Sequence, residues 1–392
     1  MDVEEAKRRA CDAVDAVADE LVAISHEIHA NPELGYQERF ASSRLAGALR
    51  GHGIEVEHPA FGIETSFAGR IGSDGPLVAI CCEYDALPGV GHGCGHNVIG
   101  ALGVGAGIAL AGVAEACGGR VLVLGTPAEE LNGGGKVRLL ELGAFEDVDV
   151  AMMAHPEAGD VERVPYLAAD TVDVVFHGKA AHASSSAHKG LNALDALVNA
   201  YNALAMLRQQ TQPDEKVHGI ITDGGQAENI IPVRAAGRWK VRARNQARLD
   251  RLKDRVLACF EGAAIQTGCT FEATWEGGYT DVLANRAVAA AYRRNGEALG
   301  RRFVEPEVIP VHVAGSTDMG NVSKVVPSIH PALWACPLGT PGHSIEMAAA
   351  AVSELADRAV VDGAKMLAMT AIDVWLQPDL LDAARAELAA AR

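Results

Sequence analysis

Residues 76–97 read PLVAICCEYDALPGVGHGCGHN. After the proline, the run to Cys82 is apolar without a break and does not alternate. That is the pattern of a strand buried on both faces. The chain then turns abruptly to Glu83, Asp85, His92, Cys94 and His96, set among Gly and Pro residues that cannot form a regular element. Three further apolar runs share the pattern: RVLVLG (120–125), VDVAMMA (148–154) and PALWAC (331–336). Helical stretches lie between them. The pattern predicts an α/β domain, a sheet covered by helices.

Working outward, the first residues read as one helix, with Val14, Val17, Leu21, Ile24 and Ile28 on a single apolar face. VIGALGVGAGIALAGVA (98–114) is uncharged, rich in Gly and Ala, and slightly short for a bilayer. It reads as a tightly packed interior helix. KVRLLELGAF (136–145) reads as an ordinary helix with an exposed charged face. The region from 345 to 376 reads as long and helical. Residues 168–277 differ in kind. DTVDVVFHG alternates, two amphipathic helices follow in turn, and strand patterns separate them, giving the order β-α-β-β-α-β. The expected domains are therefore 1–167 and 278–392 as two parts of one, with 168–277 inserted.

The chain has 392 residues, enough for two domains, and 49% are hydrophobic. Lys and Arg total 34 against 51 Asp and Glu, a net charge of −17. So acidic a chain argues against nucleic-acid or anionic-membrane partners. The eight Cys are scattered, which suits reduced thiols in the cytoplasm. The first residues lack a basic stretch followed by an apolar one, so no signal peptide is expected.

In open α/β sheets, ligands bind beyond the carboxyl ends of the strands. Four runs deliver metal-binding side chains there: Cys94 and His96, Glu129 and Glu130, His155, and His343. Any one of these is weak; their convergence is the argument. Cys94, His96, Glu130, His155 and His343 mix S, N and O donors, which suits zinc, manganese or cobalt. Five ligands exceed the usual three of one catalytic ion, so two divalent ions sharing a water are expected. Glu129, beside a ligand, is left to act as general base and then as acid to the leaving nitrogen.

EYDALPGVGHGCGHN, TPAEE, AHP (154–156), GKAAHAS and TPGHS together resemble the aminoacylase/carboxypeptidase superfamily of co-catalytic metallopeptidases. The amidohydrolase branch is nearest, and within it the aminoacylase-1-like dipeptidase and p-aminobenzoyl-glutamate hydrolase group. GGQAENIIP and AGSTDMGNVSKVVPSIHP carry that closer likeness. The resemblance implies a zinc-peptidase-like mixed sheet covered by helices, with an inserted ferredoxin-like βαββαβ lid that also dimerises. It implies the same five metal ligands, with Glu129 as base. It implies that His182 of GKAAHAS stabilises the oxyanion in the partner subunit's site, and that Asn229 and Arg242 hold the substrate's free carboxylate. The acidic-x-Asp pattern makes Asp85 an orienting residue behind the ligands, and no direct ligand role is expected of Glu83.

The expected activity is hydrolysis of the amide of an N-acyl or aminoacyl amino acid, by a homodimer. Two alternatives remain beside it. One is a thiol hydrolase using Cys94 and His96; it leaves Glu130, His155 and His343 unexplained. The other is a non-catalytic binding protein, which has no need of Glu129. His92 and Asp318 read as loop-structural, and His177, His188 and His218 as surface residues. Arg238, Lys240 and Arg244 read as a solvated face.

Overall fold

The structure, a computed structural model, describes residues 1–130, 134–308 and 314–391. The chain forms two compact units. Described residues of 1–165, 282–308 and 318–391 make the first; those of 166–281 and 314–317 make the second.

The first unit is built on a six-stranded mixed sheet. Its order is Glu55–Glu57, Ala68–Ile71, Arg120–Gly125, Leu77–Cys82, Val150–Met152, Ser328–Ile329. The first two pairings are antiparallel and the remaining three parallel. Leu77–Cys82 is buried along its whole length. Val78, Ile80 and Cys82 point into one apolar cluster with Val98 and Leu102; Leu77, Ala79 and Cys81 point into another with Leu139, Phe145 and Met319. Successive side chains alternate faces, so two covered faces require an unbroken apolar run.

Helix His96–Ala111 lies on the first of those faces and is buried from His96 to Leu110. Its glycines permit that approach. A Cβ at Gly103 would stand 2.5 Å from Cys82 Sγ. No helix among the described residues is long and apolar enough to cross a membrane.

The second unit is a four-stranded antiparallel sheet in the order Thr270–Trp275, Ala168–His177, Arg234–Ala243, Lys216–Asp223. Helices Ala193–Leu207 and Gln246–Thr267 complete the ferredoxin-like βαββαβ arrangement. They share one apolar cluster with the sheet, which includes Trp239, Phe176, Phe260, Leu197 and Leu204. Asn192 and Asn245 cap the two helices through their side chains.

Several elements depart from the sequence reading. The amino-terminal helix is two, Val3–Ala16 and Ala18–Ala30, broken at Val17 with φ −114° and ψ 11°. The apolar spacing continues through the break, which is why the pattern concealed it. PALWAC does not supply a strand of the main sheet. Ser328–Ile329 takes that edge, while Ala332–Trp334 pairs in parallel with His155–Glu157 in a separate two-stranded sheet. Pro331 lies between them and has no N–H to continue a ladder. Trp334 is 47% exposed, so this run is not buried on both faces. The long carboxyl-terminal helical region is interrupted before Ser353, whose side chain caps Glu354–Leu376. Finally, Lys136 is not on an exposed helix face: it is fully buried.

Gly103→Val should force helix His96–Ala111 off Cys82 and lower unfolding stability by about 1–3 kcal/mol. Urea unfolding of the variant checks this; wild-type stability would show that the helix does not depend on that close approach.

Candidate metal centre

Parallel strands Leu77–Cys82, Arg120–Gly125 and Val150–Met152 end at one edge of the sheet. The chain leaving each carries a chemically active residue within a few positions. Gly95, with φ +76°, turns the loop into helix His96–Ala111, and a Cβ there would meet Pro156 Cγ at 2.5 Å. Only glycine fits that turn and that contact. The turn places Cys94 and His96 next to His155.

Each histidine is oriented through its second nitrogen. His96 Nδ1 is 2.9 Å from Asp85 Oδ1. The carboxylate can only accept, so Nδ1 carries a proton. Burial opposes charge on the ring, but Asp85 and Cys94 outweigh it and raise the pKa well above the ordinary value, so Nε2 also holds a proton that a bound cation would displace. The second Asp85 oxygen accepts from Glu130 N at 2.9 Å, so one buried carboxylate fixes two neighbours. His155 Nδ1 lies 3.1 Å from the Pro156 carbonyl, which leaves Nε2 unprotonated, 3.5 Å from Cys94 Sγ. Burial holds His155 below its ordinary pKa, which keeps the imidazole neutral. His330 stacks on it with ring centroids 5.4 Å apart. His343 reaches the cluster from its own loop. Its N–H donates to Gly93 O at 2.9 Å, and its Nε2 is 3.4 Å from Glu130 Oε1. His343 has φ +57° and Ala128, just before Glu129, has φ +59°. Non-glycine residues in this region cost on the order of 1–3 kcal/mol each and gather at functional loops.

Donor atoms of Cys94, His96 and His155 lie within 4.8 Å of one another, as do those of Cys94, Glu130 and His343. His96, Glu129 and Glu130 form a further such set. The five side chains read as ligands in the sequence are thus brought together, with Cys94 common to two sets. The fit to cations is physical. His96 Nε2, Glu130 Oε1 and Glu83 Oε2 are buried atoms with no hydrogen-bond partner among the described residues. The two carboxylate oxygens are acceptors that need a positive charge or a donor, and His96 Nε2 can bind a cation in place of its proton. Burial pushes the Cys94 thiol well above its ordinary value, although His96 works the other way. That is the wrong direction for an unassisted thiolate nucleophile and argues against the thiol hydrolase.

Glu129 is half-buried beside these donors. Burial, then the charges of Glu83, Asp318 and Glu130, push its carboxyl well above the ordinary range. In the second unit, His182 is exposed. Its Nδ1 accepts from the Ser184 and Ser185 amides at 3.3 and 3.4 Å, so Nε2 carries the proton and is a donor. Asn229 is exposed beside it, and its carbonyl accepts from Ala183 N at 3.0 Å. Arg242 is half-buried and donates from Nη1 to His218 Nε2 at 3.0 Å.

Sequence reasoning missed the burial of four charged groups here. Glu83, Lys136 and Asp318 are each fully buried, and Lys136 Nζ bonds both carboxylates, at 2.5 and 2.6 Å. Nothing in a helical KVRLLE pattern signals a buried ammonium. The fourth, Glu38, accepts from Ala128 N at 2.8 Å and so holds the left-handed turn before Glu129. Burial raises its carboxyl to about 7.

Residues 80–373 match the peptidase family M20/M25/M40. The mouse (Mus musculus) Xaa-Arg dipeptidase is 41% identical over 403 residues, covering 97% of this chain and 91% of its own. One of the subunits of p-aminobenzoyl-glutamate hydrolase from Escherichia coli K12 is 28% identical, covering 96% and 93%. Among solved structures, a dinuclear metal-binding peptidase of Bacillus subtilis superposes with a TM-score of 0.72 at 20% identity, covering 92% and 99%.

Glu38 binds its proton more tightly in the folded than in the unfolded chain. Its contribution is complete below the ordinary 4.5 and is lost as pH rises through about 7. Glu38→Gln keeps the acceptor for Ala128 and removes the ionisation. At pH 8 it should be more stable than wild type by about 2–3 kcal/mol, and near parity at pH 4. Urea unfolding at both pH values is the check; equal differences at the two would remove Glu38 as the source.

Proposed function

Because this chain belongs to the peptidase family M20/M25/M40 and is a metal-dependent hydrolase, we propose that it cleaves dipeptides and related N-acyl amino acids at a centre of two divalent ions. The observation that carries this reading is the convergence of Cys94, His96, Glu130, His155 and His343 in two sets that share Cys94, with buried atoms of His96 and Glu130 left without a hydrogen-bond partner among the described residues. Cys94, His96 and His155 would hold one ion, and Cys94, Glu130 and His343 the other. Zinc, manganese and cobalt all suit that donor set. When bound, the ions polarise the scissile carbonyl and acidify the attacking water.

The remaining roles belong to the chain's own groups. Asp85 holds His96 and the Glu130 backbone in place. Glu129 takes the proton of the attacking water and passes it to the leaving amine nitrogen. Its carboxyl, raised by burial and by neighbouring carboxylates, holds a proton more readily than a solvated carboxylate, as a base that later serves as acid requires. His182 donates from Nε2 to the carbonyl oxygen as negative charge develops there. Arg242 and Asn229 take the substrate's carboxylate, for which the planar guanidinium is a geometric match.

His182 is proposed to act in the site of a partner subunit within a homodimer. Lys216–Asp223 is an edge strand and carries Ile220 and Ile221, 63% and 42% exposed. Such an edge favours pairing with a second copy. A basic carboxyl-terminal residue is the first substrate class to test. The likeness to a protein named Xaa-Arg dipeptidase supports it, as does a net charge of −17, which steers cations inward. A cytoplasmic setting accords with eight cysteines that are all unpaired.

Three experiments test this. In a panel of dipeptides and N-acyl amino acids, those with Arg or Lys at the carboxyl terminus should turn over fastest, and a chelator should abolish the activity. No turnover across the panel by metal-loaded protein would return the binding-protein reading. Glu129→Gln should lose roughly 100-fold or more in kcat, with metal retained; an unchanged kcat would remove Glu129 as base. Mixed dimers of His182→Ala and Glu129→Gln chains should recover activity, because one site then has both groups. If mixing is confirmed without recovery, the site is complete within one chain.

A further inference from the structure

The fully buried Glu83–Lys136–Asp318 group lies outside the roles assigned above. Lys136 joins helix Gly135–Glu141 to two other segments. Its Nζ bonds Glu83 Oε1 beyond strand Leu77–Cys82 and Asp318 Oδ1 before helix Met319–Ser323. Its backbone N–H donates to the other oxygen of Asp318 at 2.9 Å. Both Asp318 oxygens are thereby used. Glu83 is not so saturated: Oε1 is bound to the ammonium, and Oε2 has no partner among the described residues.

That unused oxygen is 3.5 Å from His96 Nε2, itself buried and without a partner. With Nδ1 committed to Asp85, Nε2 is the ring atom left to bind a cation, once its proton is displaced. A carboxylate oxygen and an imidazole nitrogen therefore face each other in a dry interior, at a spacing longer than a good hydrogen bond. Neither atom gains a good hydrogen bond there, and each forfeits its hydration. Ligands at about 2.0–2.2 Å around a tetrahedral ion stand about 3.3–3.6 Å apart. The observed spacing falls in that range.

We propose that Glu83 is a further oxygen donor of the metal centre, sharing with His96 one divalent cation, and that Lys136 is the positioning residue that aims it. This rests on the two-ion reading above and reverses the sequence expectation that Glu83 takes no direct part. Lys136 neutralises one of the two carboxylates it bonds and pins Oε1, leaving Glu83 only Oε2 to offer. The ammonium cannot rotate away, since Asp318 holds it from the other side.

Zinc-loaded wild-type protein tests the geometry directly. Anomalous diffraction should place a zinc ion about 2.0–2.2 Å from both Glu83 Oε2 and His96 Nε2. A zinc at His96 but beyond 3 Å from Glu83 overturns the inference while sparing the two-ion reading; no zinc at all overturns that reading instead. Calorimetric titration of metal-free variants gives a second readout. Glu83→Gln should weaken zinc binding about 10–100-fold. Asp318→Asn removes one negative charge but keeps an oxygen acceptor for the ammonium and leaves the donor in place, so it should weaken zinc binding less than Glu83→Gln. Equal losses in the two would assign Glu83 a charge-balancing role only. If Glu83→Gln does not fold, the wild-type zinc position decides.

Discussion

A carboxylate oxygen and an imidazole nitrogen face each other across 3.5 Å in the interior of the first unit, Glu83 Oε2 and His96 Nε2, and neither has a hydrogen-bond partner among the described residues. Around them lie Glu130 Oε1, also unpartnered, and the thiol of Cys94. The rest of the unit follows from that constraint. An interior that gathers lone pairs and negative charge is tolerable only with cations in it, because desolvation of unpaired charge costs far more than any single packing contact contributes. Lys136 is the one fixed ammonium bonded there among the described residues. It offsets a single charge among Glu83, Asp318, Glu129 and Glu130. Divalent ions are the chemically simplest remaining source.

The sheet exists in a form that makes this possible. Its three central strands are parallel, so their carboxyl ends open at one edge and three loops meet there. Both faces are covered, which keeps water out and makes each charge count. The loops are held by specific devices. Gly95 turns the chain against Pro156. Glu38 grips the Ala128 amide ahead of Glu129. The His343 amide is tied to Gly93. These contacts are distant in sequence, so the donors are aligned by tertiary packing and not by any local motif.

What the sequence disclosed follows the same division. Strand Arg120–Gly125 was legible to the residue because a doubly buried strand must be apolar throughout. The βαββαβ order was legible from alternation and amphipathic spacing. The likeness to metallopeptidases pointed at Cys94, His96, Glu130, His155 and His343, which the fold brings together. Lys136 was not legible: lysine in an amphipathic helix is almost always solvated, and only Glu83 and Asp318, 53 and 182 positions away, explain its burial. Glu38 and its 90-residue reach to Ala128 fail for the same reason. Val17 and Pro331 show the complementary error, where a correct apolar period runs across a break made by the backbone.

The central claim is that this interior is completed by cations. Metal content per chain, measured on gently purified protein by elemental analysis, tests it most directly. The account predicts about two divalent ions per chain, removed by a chelator and restored by zinc, manganese or cobalt. A chain that retains its fold and binds no metal after attempted reconstitution would contradict it. Protons or water would then have to satisfy the lone pairs of Glu83, His96 and Glu130.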